Sequence, residues 1–210
     1  MDAQFYGANC IVLSTKQARV VIDDNLAELG KKTVTKAGDI VIFTEAHGDT
    51  ANEPKITISQ PREYEVSGIA VHGIAARGHM EEEGSRRGAT MYKISSDDLR
   101  ILVTGHIYPE LTDSQIEAIG SVDVMFVPVG GNGYTLDGVG ALKLIKKVEP
   151  KLVIPTHYAS KALNLPVPQH VLEEVLQSLA MEPKETTPKL KFKGSELGET
   201  AQLVILEEVS

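Results

Sequence analysis

An apolar run that stops abruptly at a polar loop is the feature that most constrains this chain. Residues 41–44 read Val-Ile-Phe-Thr, and a glycine and an aspartate before them mark a turn. A short, mostly β-branched run of this kind is typical of a strand buried on both faces. The following loop carries Glu45, His47 and Asp49 at alternate positions. In an extended loop these three side chains project to the same side and can share a cation, although a solvated polar turn has the same composition.

The same pattern recurs along the chain, because an apolar run is followed by a histidine four times. These histidines are His47, His79, His106 and His157. In layered α/β proteins, functional sites gather at strand ends, so histidines from separate strands can meet there. The other two histidines, His72 within a strand pattern and His170 in the first turn of a predicted helix, are assigned no role.

The remaining pattern predicts one domain over residues 1–210, with strands first and alternating strands and helices later. A capping box at Thr112 predicts a short helix through Ile119. A second helix is predicted over 137–148, with Val139 on its apolar face, and a third over 168–181. A final strand is predicted over 202–206. This order favours layered sheets with helices outside.

Composition narrows the function classes. The net charge of −8 argues against a nucleic-acid partner, which needs a basic surface. Cys10 is the single cysteine, and it lies in a strand-like run, which favours a buried thiol and excludes an internal disulfide. The sequence shows no apolar run long enough for a membrane span and no leader-like start, so a cytoplasmic protein without a membrane partner is expected.

The order of these motifs resembles that of a known family. A T-x-x-H-x-D loop follows a strand, V-D-V-x-x-x-P-V-G-G stands at 122–131, and P-x-H-Y stands at 155–158. This arrangement looks like that of the metallo-β-lactamase-fold hydrolases, specifically their compact zinc-dependent branch, and the resemblance covers nearly the whole chain. It implies an α/β fold, a four-layer αββα sandwich with a metal site along one edge between the two sheets.

The chain departs from the family pattern at several metal positions. The family's H-x-H-x-D-H signature is here Glu45-Ala46-His47-Gly48-Asp49-Thr50, so its first and last histidines are replaced. His79 and His157 match the family's later ligands. The aspartate that bridges two metals in the family follows a glycine, where this chain has Gly105-His106. The family's G-H-x-C motif is Gly7-Ala8-Asn9-Cys10.

The retained positions imply a mononuclear site. Glu45, His47 and His79 are expected to hold one divalent metal, zinc first with manganese or iron as alternatives, and three ligands leave a position open for water. Asp49 and His157 alone are too few to retain a second metal. If His106 adds a fourth ligand, the open position disappears and the site becomes structural.

Two functions follow from these residues. In the first, the chain is a metal-dependent hydrolase of unknown small-molecule substrate, in which Asp49 orients or deprotonates the metal-bound water. His157 or Tyr158 then stabilises the developing oxyanion. In the second, the chain is a non-catalytic member of the fold that binds a ligand or partner and holds no metal. The sequence indicates neither the substrate nor the oligomeric state.

Overall fold

Two facing β-sheets form the centre of the molecule. The computed structural model describes residues 1–45, 52–80, 88–96 and 98–209, and within these ranges fourteen strands form the two sheets. The strands are β1 Asp2–Gly7, β2 Cys10–Ser14, β3 Arg19–Ile22, β4 Ile40–Ile42, β5 Ile56–Ile58, β6 Glu63–Val66, β7 Ile69–Arg77, β8 Gly88–Ser96, β9 Leu99–Val103, β10 Val124–Pro128, β11 Leu152–Thr156, β12 Pro183–Thr187, β13 Leu190–Lys191 and β14 Gln202–Leu206.

Both sheets are mixed. The first has the order β13-β1-β2-β3-β4-β5, with parallel pairing from β3 to β5 and antiparallel pairing elsewhere. The second has the order β12-β14-β11-β10-β9-β8-β7-β6 and is parallel from β9 to β12. The predicted strand at 202–206 is confirmed as β14. The parallel strands β9, β10 and β11 place their carboxyl ends at one edge of the sheet.

Two hydrophobic layers hold the sheets and helices together. Side chains such as Phe5 and Ile42 of the first sheet meet Tyr92 and Phe126 of the second in one buried cluster. Alternate residues of the second sheet point the other way and pack under the helices. Because β9 to β11 are covered on both faces, these strands are almost continuously apolar, as the sequence pattern predicts. The expected α/β fold with two facing sheets is therefore confirmed.

Three α-helices of the described residues pack against the second sheet. They are α1 Asp113–Ile119, α2 Gly138–Val148 and α3 Leu172–Leu179. The predicted capping box is confirmed, since Thr112 accepts a hydrogen bond from the Gln115 backbone N–H and the Gln115 side chain accepts one from Thr112 N–H. No helix among the described residues is long and apolar enough to cross a membrane.

The outer face of the first sheet is covered by the connector at 24–38 and the loop at 159–165, through residues such as Leu26, Val34 and Leu163. Cys10 is buried beneath them, as expected.

The two longer helices differ from their predicted form. The third begins at Leu172 instead of about residue 168, because the backbone of His170 is tied to the preceding loops: its N–H donates to Gly130 and its carbonyl accepts from Ala159. Val139 of α2 is 54% exposed and not on the buried face. A Cβ on Gly138 would lie 2.4 Å from the Cβ of Ser178, so α2 packs closely on α3 at Gly138, and the next residue, Val139, faces outward.

A buried carboxylate joins three strands of the second sheet. Asp123 precedes β10, its side chain is 1% exposed, and it accepts hydrogen bonds from the guanidinium of Arg100 at 2.8 and 2.9 Å. The ammonium of Lys151 lies 3.0 Å away. Burial alone would raise the pKa of Asp123, but these cationic partners outweigh it and lower the pKa from 3.8 to about 2.

We therefore expect Asp123→Asn to lower the free energy of unfolding by about 2 kcal/mol at pH 7. The folded-state pKa lies below the unfolded value, so the stabilisation is complete above pH 3.8 and is lost as the pH falls through about 2. Urea unfolding at a series of pH values measures this difference. Glu117→Gln, at an exposed carboxylate on α1, is the control. A difference for Asp123→Asn that stays constant down to pH 2 would contradict the assignment.

Candidate functional site

A polar cavity of about 180 Å³ lies at the edge where the carboxyl ends of β4, β9 and β11 meet. It contains amide, carboxylate, hydroxyl and imidazole groups. Its lining residues are Asn9, Asp23, Asn25, Glu28, Phe43, Thr44, Glu45, His106, Tyr134 and His157. Three of the residues predicted from sequence, Glu45, His106 and His157, are thus brought together as the strand-end pattern predicts.

Asp23 and Thr44 fix the strand end that leads into the site. Thr44 donates from its backbone N–H to one oxygen of Asp23 at 2.7 Å and from its hydroxyl to the other at 2.6 Å. Its carbonyl accepts from Thr90 N–H at 2.8 Å, which links the two sheets. Burial raises the pKa of Asp23 to about 6, although the hydrogen bonds from Thr44 favour its charged form. Thr44 is therefore fixed by Asp23 next to its own sheet and by Thr90 of the second sheet.

Gly105 packs directly on Thr44. A Cβ at Gly105 would lie 2.4 Å from the Cβ of Thr44. Gly105 also has φ +61°, a backbone conformation that residues other than glycine rarely adopt. Because Thr44 and Gly105 touch, the residues that follow them, Glu45 and His106, emerge side by side. The Glu45 carboxylate lies 3.5 Å from Nδ1 of His106.

His157 completes a cluster of rings. Its ring lies edge-on to His106 with centroids 4.7 Å apart, and Tyr134 lies 5.2 Å from His106 and 5.6 Å from His157. The backbone of His157 has φ +56°, and its N–H donates to Ala8. Burial and the neighbouring His106 lower the pKa of His157 to about 3, so this imidazole is neutral at pH 7.

One imidazole nitrogen in the cavity, Nε2 of His106, is buried and has no hydrogen-bond partner among the described residues. Buried polar atoms normally have a partner, and an exception points to an ion, a water or a ligand. In the part of the chain that the structure describes, however, no three histidine, cysteine or carboxylate side chains converge to hold a metal. His47 and Asp49 lie outside the described residues, so their predicted roles stay predictions.

The structure places two ligands of the predicted first metal pocket, Glu45 and His79, against different neighbours. His79 does not line the cavity: its backbone N–H donates to the His106 carbonyl at 2.7 Å, and its ring lies 6.5 Å from that of Tyr108. Glu45 faces His106. The predicted ligand set of Glu45, His47 and His79 stays a prediction, because His47 lies outside the described residues.

The predicted role of Tyr158 in stabilising an oxyanion does not fit its position. Its hydroxyl donates to the carbonyl oxygen of Leu206 at 3.1 Å, and its ring packs on Phe5 with centroids 5.6 Å apart. The side chain therefore points away from His157 into the hydrophobic core, and it does not line the cavity. Burial raises its pKa to about 12.

Sequence reasoning missed Asp23, Asn9 and Tyr134. Asp23 follows directly after β3, so the strand-end pattern that found the histidines also applies to it. Asn9 lies in the Gly7–Cys10 motif, and its side-chain oxygen accepts from the Thr156 hydroxyl at 2.9 Å. Tyr134 lies in the glycine-rich loop after β10, and no sequence signal separates it from other loop residues.

Comparison with solved structures identifies the fold. The chain is similar to a Thermotoga maritima protein assigned as a Zn-dependent hydrolase of the metallo-β-lactamase superfamily, with a TM-score of 0.76 and 20% identity over 98% of this chain and 97% of that one. A Parabacteroides distasonis protein assigned as a metal-dependent hydrolase gives a TM-score of 0.63 and 17% identity over 98% and 93%. These likenesses define the metallo-β-lactamase fold.

The family follows from the sequence. The model of the β-lactamase superfamily domain matches residues 2–157, and the chain belongs to this family. The matched range ends at His157. A Salinibacter ruber protein named a metal-dependent hydrolase is 26% identical in an alignment that covers 75% of this chain and 84% of the relative.

The contact between Thr44 and Gly105 can be tested directly. We expect Gly105→Ala to lower the free energy of unfolding by about 3 kcal/mol, since the new Cβ adds a steric clash to the positive-φ strain. The control is Gly38→Ala, which has φ +82° and nothing within 4 Å of the new Cβ. It should cost only about 1 kcal/mol. Urea unfolding of both variants measures the difference, and equal losses would show that the contact has no energetic role.

Proposed function

We propose that this chain is a metal-dependent hydrolase of unknown substrate whose reaction centre is the cavity at the ends of β4, β9 and β11. The observation that carries the proposal is the buried Nε2 of His106, which has no partner among the described residues and lies beside His157, in a chain of the β-lactamase superfamily. The metal-dependent hydrolase names of its relatives support the same class.

The imidazole nitrogens in the cavity are chemically suited to bind a divalent metal. His106 Nε2 and the neutral His157 each offer a lone pair, and imidazole nitrogen suits zinc best, with iron as an alternative. Manganese, which prefers oxygen ligands, is the weaker alternative. His106 and His157 would hold the metal, and His47 and Asp49 are the proposed further ligands from outside the described residues.

One metal is proposed instead of two. In the sequence resemblance, His106 stands at the position of the family's bridging aspartate, and an imidazole has no negative charge with which to offset the repulsion between two close cations. A bound divalent metal would lower the pKa of its water to about 7 and so supply a hydroxide nucleophile near neutral pH.

The chain's own residues have distinct roles in this proposal. Asp49 orients the attacking water. Tyr134, half-buried in the cavity wall, takes the role first predicted for Tyr158: burial raises its pKa, so its hydroxyl stays protonated and can donate to a developing oxyanion. Asp23 and Thr44 hold the strand end that places Glu45 beside His106.

A non-catalytic, ligand-binding function is the second candidate. The observation that favours it is that the described residues alone do not assemble three ligands. In this case the cavity would bind a small polar molecule through Asn9, Asn25 and the imidazoles.

Metal content separates the two functions. We expect dialysed, tag-free protein to hold about one equivalent of zinc, and we expect His106→Ala and His157→Ala each to lose it, because each removes a proposed ligand. Elemental analysis is the measurement. The control is His72→Ala, on β7 and outside this cavity, which should retain the metal.

The same preparations should be assayed with chromogenic ester, thioester, lactone and phosphodiester probes. Hydrolysis of one class that a chelator abolishes and zinc restores is the expected result. Absence of metal after incubation with excess zinc, or full retention in both cavity variants, would refute the metal-dependent hydrolase and favour the ligand-binding protein.

A further inference from the structure

Two departures from the family pattern occupy adjacent places in the structure. In the sequence resemblance, Glu45 takes the place of the first histidine of the family's signature, and His106 takes the place of the bridging aspartate. The two exchanges are opposite in kind, and their side chains contact each other at 3.5 Å. The site therefore keeps one carboxylate and one imidazole but interchanges their positions.

Backbone contacts place the side chains of Glu45 and His106 next to each other. Thr44, the residue before Glu45, is held by two hydrogen bonds to Asp23 and lies against Gly105, the residue before His106. The carbonyl of His106 accepts from His79 N–H at 2.7 Å. Glu45 and His106 thus each follow a residue that is held in place, and those two preceding residues are in contact.

The two nitrogens of the His106 ring have different surroundings. Nδ1 faces the Glu45 carboxylate, whereas Nε2 is buried without a partner among the described residues. A neutral imidazole has one N–H and one lone pair, and the group that faces one nitrogen decides which is protonated. A carboxylate at Nδ1 favours the proton there and leaves the lone pair on Nε2.

We propose that Glu45 is a positioning residue and not a metal ligand: its carboxylate holds the proton of His106 on Nδ1 and thereby presents Nε2 to the metal. This inference rests on the proposed function, and it replaces the ligand role predicted for Glu45 from the sequence. A carboxylate that accepts from the distal N–H of a ligating histidine fixes the ring and raises its basicity. The side chain of Glu45 is 55% exposed, so replacing it leaves the core intact.

The tautomer of His106 is the first test, and it needs no metal. Long-range ¹H–¹⁵N spectra of metal-free protein should show His106 protonated on Nδ1, and Glu45→Ala should remove that preference. A His106 ring protonated on Nε2 in the unsubstituted protein would overturn the inference whatever the protein's activity.

Metal affinity is the second test. In competition with a chromophoric chelator, we expect Glu45→Ala to bind zinc 10- to 100-fold more weakly. Glu45→Gln, which keeps an acceptor oxygen, should lie between this variant and the unsubstituted protein. Glu28→Ala is the matched control, because it removes a carboxylate from the same cavity and should change the affinity less than twofold.

Cobalt substitution distinguishes a positioning residue from a ligand. The visible bands of the Co²⁺-loaded protein should be unchanged in Glu45→Ala, since the ligand set is the same, and should shift in His106→Ala. A shift in Glu45→Ala like that of a lost ligand would overturn the inference while leaving the metal site intact. Failure of the unsubstituted protein to bind zinc or cobalt would refute the proposed function and this inference with it.

Discussion

The packing of Thr44 on Gly105 is the contact on which the site depends. It joins the end of β4 in one sheet to the end of β9 in the other, and it admits no Cβ at position 105. Two hydrogen bonds to the buried Asp23 and one from Thr90 fix Thr44 at this place. The two sheets therefore approach closely at this edge, and the side chains that follow, Glu45 and His106, line the cavity and contact each other, with Glu45 also partly exposed.

The electrostatics of the cavity follow from that approach. The carboxylates of Asp23 and Glu45 flank the imidazoles of His106 and His157, and burial keeps His157 neutral. The neutral imidazole of His157 beside negative charge favours a cation over an anion. In the proposed arrangement, the Glu45 carboxylate lies on the far side of the His106 ring from the metal.

Much of this arrangement can be predicted from the sequence. Apolar runs that end in polar residues placed Glu45, His106 and His157 at one edge, because the carboxyl ends of parallel strands meet there. The side-chain directions could not be predicted in the same way. β11 ends at Thr156 and His157 has a positive φ, so strand alternation does not set the directions in which His157 faces the cavity and Tyr158 faces the core. Asp23 and the Thr44–Gly105 contact depend on how the two sheets pack, which local sequence does not encode.

The measurement that tests the central claim most directly is the anomalous scattering of crystals grown with zinc. The account predicts a single peak about 2.0–2.1 Å from Nε2 of His106, with His157 as a second ligand. The carboxylate of Glu45 should lie on Nδ1 of His106, outside bonding distance of the metal. A peak coordinated by Glu45, a pair of metals, or no peak in the cavity would contradict the account.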